Sequence, residues 1–128
     1  MKGGHDDSLA FGAVMRAFTL PKCTEDEKAA RSRAIQEAMV GAARVPLANA
    51  ERCAAVLRLV GRLEGRSNTN AASDLDVGRG LALAALRGCL ANVEINVGSI
   101  RDEPTARALG ERAADLRGVL ETVEAQRG

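Results

Sequence analysis

Aromatic side chains are almost missing from this chain: 128 residues contain no tryptophan, no tyrosine and two phenylalanines. Strands favour aromatic and β-branched residues, so a chain that is 46% hydrophobic but built on alanine and leucine points to closely packed helices. Net charge is also nearly absent. The 18 basic and 17 acidic residues leave +1, which gives no strong field for nucleic acid. The charges are interspersed, as on solvated helix faces. No apolar run reaches the roughly 18 residues of a membrane span, and the opening MKGGHDDS lacks the apolar core of a signal peptide. Neither nucleic acid nor a membrane is therefore an expected partner. Cys23, Cys53 and Cys89 are odd in number and far apart, with no CxxC. They read as reduced, mostly buried thiols of a cytoplasmic protein. With a single histidine they make no metal-ligand set by spacing. No GxxxxGK[ST] is present, and Gly3–Gly4 is too short for a phosphate loop.

What is present is helical periodicity. Ser73 to Gly98 reads as a long central helix, with Ser73 at the N-cap and Asp76 at N3. Leu83, Leu86, Leu90, Val93 and Val97 form one stripe along it. At about 1.5 Å per residue it would run roughly 39 Å. Residues 1–5 look loose. A first helix is expected from Asp6, with Phe11, Val14 and Phe18 on one face and Pro21 ending it. Thr24 and Glu27 form a capping-box pattern that opens a second helix. Pro46 marks a break and the start of a third, with Cys53, Leu57, Val60 and Leu63 facing inward. Residues 66–72 form a polar loop. Pro104 opens a last helix to about Gln126, with Leu109, Ala113, Leu116, Leu120 and Val123 as its stripe. The expectation is a single all-α domain over residues 1–128, a bundle of about five helices around the central one.

Five polar groupings stand out. Asp6–Asp7 at the start of the first helix suits the helix dipole; alternatively, a carboxyl beside apolar residues such as Phe11 is a general acid/base candidate. Lys22, in an interhelical joint, is either solvated or a point charge for an anion. Arg31 shares a face with Ile35 and Ala38, as a snorkelling side chain or a carboxylate clamp. Asn68, Asn70 and Asp74 are turn formers at the entrance of the central helix, or part of a site. Asn92 and Asn96 form an i, i+4 pair that lowers helix propensity. A solvated face, a ligand or an interhelical contact would each explain them.

The motifs DDSLAF, LPKCTEDEKAARSRAIQEAM, VPLANAERC, SNTNAASDLDVG and ANVEIN, in that order, resemble the cyclodeaminase/cyclohydrolase family. This family includes the cyclodeaminase domain of formiminotransferase-cyclodeaminase and the bacterial methenyltetrahydrofolate cyclohydrolases. The series covers roughly Asp6 to Glu103. LPK-x-T-x-x-EK followed by IQEA, together with the asparagine-bearing central helix, is its specific part. The resemblance implies an all-helical enzyme of folate one-carbon metabolism, usually an oligomer. Its substrate would be a tetrahydrofolate derivative, with hydrolase or lyase chemistry at the N5/N10 bridge and no metal. The carboxylate of the family's D-x-x-A-F motif, its acid/base candidate, corresponds to Asp7. Lys22, Arg31, Asn68, Asp74, Asn92 and Asn96 occupy the other matching polar positions and are the substrate-binding candidates.

Family members carry a glycine-rich segment and further helices before D-x-x-A-F, whereas this sequence begins almost at Asp6. The expectation is a shortened member, an incomplete gene product or one half of a split enzyme, whose exposed apolar face needs a second copy, as in a dimer, or a partner chain. The leading expectation is a cyclohydrolase or cyclodeaminase. The alternative is a non-catalytic folate-binding or assembly module of the same fold, inactivated by loss of that segment.

Overall fold

The computed structural model describes the backbone of residues 2–64 and 69–127, and the side chains of residues 9–64 and 71–126. Four helices follow in order: α1 (Lys2–Phe18), α2 (Glu25–Leu63), α3 (Thr69–Val97) and α4 (Glu103–Arg127). The described residues contain no strand, so the all-α class holds with four helices rather than five.

The start of α2 follows the capping-box pattern. Thr24 Oγ1 accepts from Glu27 N at 3.1 Å, and Thr24 N donates to Glu27 Oε1 at 3.1 Å. Beyond this point α2 departs from expectation, because it runs straight through Pro46. A helical carbonyl at position 42 normally accepts from the N–H at 46, which proline lacks. Asn96 on α3 supplies the missing donor: its Nδ2 lies 2.9 Å from Ala42 O. A long-range partner thus replaces the local bond, and two expected helices become one of 39 residues.

Two helix starts also lie earlier than the periodicity suggested. Helix α1 begins at Lys2, ahead of Asp6, and includes residues that looked loose. Helix α3 begins at Thr69, so Ser73 and Asp76 lie inside it and Ser73 is not its cap. Its far end is marked by Gly98, where Gly98 N donates to Glu94 O at 3.3 Å. A Cβ on Gly98 would stand 3.3 Å from Ile95 O, so the closing turn has little room for a side chain. The turn continues with Ser99 N donating to Asn96 O at 3.1 Å and Ile100 N to Val97 O at 3.0 Å. Ile100 then plugs into the core.

Asp102 caps α4, its carboxylate accepting from Thr105 N at 3.1 Å and also from the Thr105 hydroxyl. The hydroxyl bond, then the backbone bond, hold this carboxyl below its ordinary range. A depressed carboxyl contributes stability above its unfolded pKa and loses that contribution as pH falls through the native one. Acid unfolding of Asp102→Asn, which keeps an acceptor but does not titrate, should therefore show a shallower loss of stability below pH 4.

The core is a seam between α2, α3 and α4. Ala43, Ala50 and Ala54 on α2 are fully buried. Their small side chains leave space for Leu83, Leu86, Leu90 and Val93 of α3 and Leu109, Leu116 and Leu120 of α4. The expected stripes on α3 and α4 are therefore the buried ones, with Val97 and Val123 packed at their ends. Arg112 of α4 pairs with Glu51 of α2 at 2.7 Å, and Arg117 with Glu94 of α3 at 2.6 Å. Arg87 and Arg79 of α3 pair with Glu124 and Glu64. These partly exposed pairs set register more than stability.

Two expectations about burial fail, those for Leu63 and Cys23. Leu63 is exposed, because the inward stripe of α2 ends at Val60. Phe11 and Phe18 of α1 are also exposed; the small Ala17 is buried instead and lets α1 approach α2 closely. Cys23 is exposed, in the joint between α1 and α2. Against the sequence expectation, α3 is long and apolar enough to cross a membrane (Ala71–Val97). That apolarity includes its buried stripe, which packs on α2 and α4.

Cys53 on α2 and Cys89 on α3 are half-buried at the edge of the seam. Burial pushes the Cys53 thiol up, and a hydrogen bond with Cys89 opposes the shift. Between the unfolded and folded pKa values the native state holds more protons, so stability falls as pH rises past about 9. Urea titrations at pH 7 to 10 should show that slope, reduced in Cys53→Ala.

Candidate functional site

Two clefts lie end to end along the N-terminal half of α2. The first, of about 400 Å³, is walled by Ala10, Phe11 and Val14 of α1, Met39, Ala42 and Pro46 of α2, Asn92 and Asn96 of α3, and Ser99. Its walls are apolar apart from two amides and the serine. Asn92 is exposed, whereas Asn96 is half-buried and fixed by its bond to Ala42 O.

The second, of about 300 Å³, is lined by Lys22, Lys28, Arg31 and Arg101, with Ser32, Ile35 and Gln36. Among the described residues no carboxylate lines it, so its four cations have no internal counter-charge there. Lys28 pairs outward with Glu25 at 3.3 Å, an exposed contact of little weight. Arg31 is anchored. Its Nε and Nη2 donate to Phe18 O at 3.3 and 3.2 Å, and its guanidinium stacks 5.5 Å from the Phe18 ring centroid. It therefore ties the end of α1 to α2 as well as lining the cleft.

Gln36 joins the two clefts. Its Nε2 donates to Ser99 O at 3.4 Å and its Oε1 accepts from Arg101 N at 2.8 Å. Ser99 walls the first cleft and Arg101 the second. One side chain thus holds the α3–α4 turn against α2 where the clefts meet.

The structure brings the sequence candidates together in two pairs: Lys22 with Arg31 in the cationic cleft, and Asn92 with Asn96 in the amide-bearing one. It does not bring Asp74 to either. Asp74 is exposed near the start of α3, about 27 Å from Asn92 along the helix at 1.5 Å per residue. Asn68 lies outside the described residues. Asp7 belongs to α1, one turn before Phe11; its side chain, like that of Asn70, lies outside the described part.

Sequence reasoning missed Gln36, Met39, Pro46, Ser99 and Arg101. Gln36 sits inside the IQEA motif, which was the available signal. The other four become neighbours only once α2 and α3 pair.

A sequence model of the family described as "Formiminotransferase-cyclodeaminase" matches residues 2–115. The chain belongs to this family. The match runs through both clefts and into the first half of α4. Among curated relatives, the chain is 42% identical over 115 residues to a methenyltetrahydrofolate cyclohydrolase of Methylorubrum extorquens, covering 90% of this chain and 54% of the relative. It is 33% identical over 110 residues to a formimidoyltransferase-cyclodeaminase of Sus scrofa, covering 86% and 20% of the two chains. It is 36% identical over 97 residues to the corresponding protein of Gallus gallus, covering 76% and 18%. The chain thus spans about half the length of the bacterial relative and a fifth or less of the two vertebrate ones.

Proposed function

We propose that this chain acts in folate one-carbon metabolism, as a methenyltetrahydrofolate cyclohydrolase or a formiminotetrahydrofolate cyclodeaminase, at the carbon between N5 and N10. The observation that carries this reading is the family match running through both clefts. The higher identity to a relative named as a cyclohydrolase favours the first activity.

Folate has a flat ring system at one end and glutamate carboxylates at the other, and the paired clefts suit those two ends. The amide-bearing cleft takes the ring system against Phe11, Val14 and Met39, with Asn92 and Asn96 as polar contacts. The cationic cleft takes the tail carboxylates on Lys22, Arg31 and Arg101. In the cyclohydrolase direction, water adds to the methenyl carbon and gives up a proton to a base. The tetrahedral carbon then releases N5, which takes a proton, and leaves the formyl group on N10. In the cyclodeaminase direction, N10 attacks the formimino carbon and ammonia leaves. Both routes need one group that accepts and then donates a proton, and Asp7 is assigned that role. The reading also has the protein working in the cytoplasm as an oligomer. The exposed Phe11, Met15 and Phe18 on α1 suit a covered rather than a solvated face.

The test is the loss of 5,10-methenyltetrahydrofolate absorbance on adding the purified chain. Acceleration over buffer supports catalysis. A folate-dependent rise in Tm without acceleration would replace catalysis by binding alone, and no response of either kind would overturn the folate assignment.

A further inference from the structure

Pro46 and Asn96 meet at one backbone oxygen. Ala42 O has no N–H to accept from within α2, because residue 46 is proline. Asn96 Nδ2 takes that place at 2.9 Å. A carbonyl can only accept, so the amide must turn its NH2 towards Ala42 and its Oδ1 away from it. All three residues line the 400 Å³ cleft. Among the described residues, no donor reaches Oδ1.

An asparagine with both ends free can flip to suit a donor or an acceptor. Here the flip is blocked from behind, because the reversed amide would set oxygen against oxygen. We infer that Pro46 is a positioning residue for this cleft: by lacking an N–H, it fixes Asn96 as a hydrogen-bond acceptor for an N–H or NH2 group on the ring system of the substrate. This rests on the folate reading, which supplies a ring system rich in such donors. A ring edge presenting a lone pair would meet Oδ1 unpaired and be rejected.

The experiment is a four-corner cycle of wild type, Pro46→Ala, Asn96→Leu and the double variant, read by Tm and by turnover of 5,10-methenyltetrahydrofolate. Pro46→Ala restores the local N–H, so its Tm should match or exceed wild type. Asn96→Leu should lower Tm in the wild-type background, where Ala42 O is orphaned, and lower it much less in the Pro46→Ala background. With the amide released, Pro46→Ala should raise KM about fivefold, the worth of one hydrogen bond, while kcat changes little. In the Asn96→Leu background the same change should leave KM where it was.

Equal Tm losses in both backgrounds would overturn the proposal, as would an unchanged KM in Pro46→Ala. An equal rise in KM in both backgrounds would also overturn it, since proline would then act by its own contact with substrate. A wild-type chain that neither turns over nor binds folate overturns the underlying reading and this proposal with it. That failure is distinguishable, because it shows before any variant is compared.

Discussion

Asp7→Asn should lower turnover of 5,10-methenyltetrahydrofolate by about 10²- to 10⁴-fold, the usual contribution of a positioned acid/base. Asparagine keeps the size and polarity of the aspartate but cannot exchange a proton. Position 7 lies early in α1, four and seven residues before Phe11 and Val14, and both of those residues wall the cleft. The change adds no bulk, so far-UV circular dichroism and Tm should match wild type. Lost turnover with unchanged helicity assigns the proton-handling role to Asp7. An Asp7→Asn chain that still turns over substrate at the wild-type rate would remove that role.

Leu90→Ala should have the largest effect on stability, about 2–5 kcal/mol. Leu90 is fully buried near the middle of the α3 stripe, in the seam shared with α2 and α4. The fully buried Ala50 and Ala54 of that seam carry side chains too small to fill the void left by the lost isopropyl branch. Domains of this size are stable by about 5–15 kcal/mol, so one truncation would remove a large part of the total. Urea unfolding measures it as a lower midpoint. Leu81→Ala, at an exposed site on the same helix, should stay within about 0.5 kcal/mol. Similar losses at both positions would mean that the face bearing Leu81 is also covered in solution.

The contrast between these leucines shows what the sequence could supply. A 3.6-residue period marks the buried side of α3 and α4, because those helices bury one face along most of their length. It fails on α1, where the small Ala17 is buried while Phe18 is exposed and Phe11 lines the open cleft. Local chemistry located the start of α2, since both bonds of the Thr24–Glu27 box lie within four residues. The same local reasoning misplaced a break at Pro46, because the donor that keeps α2 continuous comes from a residue 50 positions further on. The candidate site follows this pattern. Lys22, Arg31, Asn92 and Asn96 were legible as residues, through the ordered motif series. Their division into a cationic and an amide-bearing cleft was not, since it depends on Gln36 holding the α3–α4 turn to α2.

Among the described residues, helix α1 makes its helix–helix contacts with α2 alone. It forms the outer wall of the amide-bearing cleft without packing against α3, the opposite wall. Lifting α1 away would break the bonds from Arg31 to Phe18 O and the small-residue contact around Ala17, and would leave the α2–α3–α4 seam intact. Partial opening of this kind costs less than global unfolding. In hydrogen–deuterium exchange, the amides of Ala10 to Phe18 should therefore become labelled well before those of Leu83 to Val93. On that result the cleft would have one rigid wall and one that opens, and a substrate too large for the resting aperture would enter during those openings.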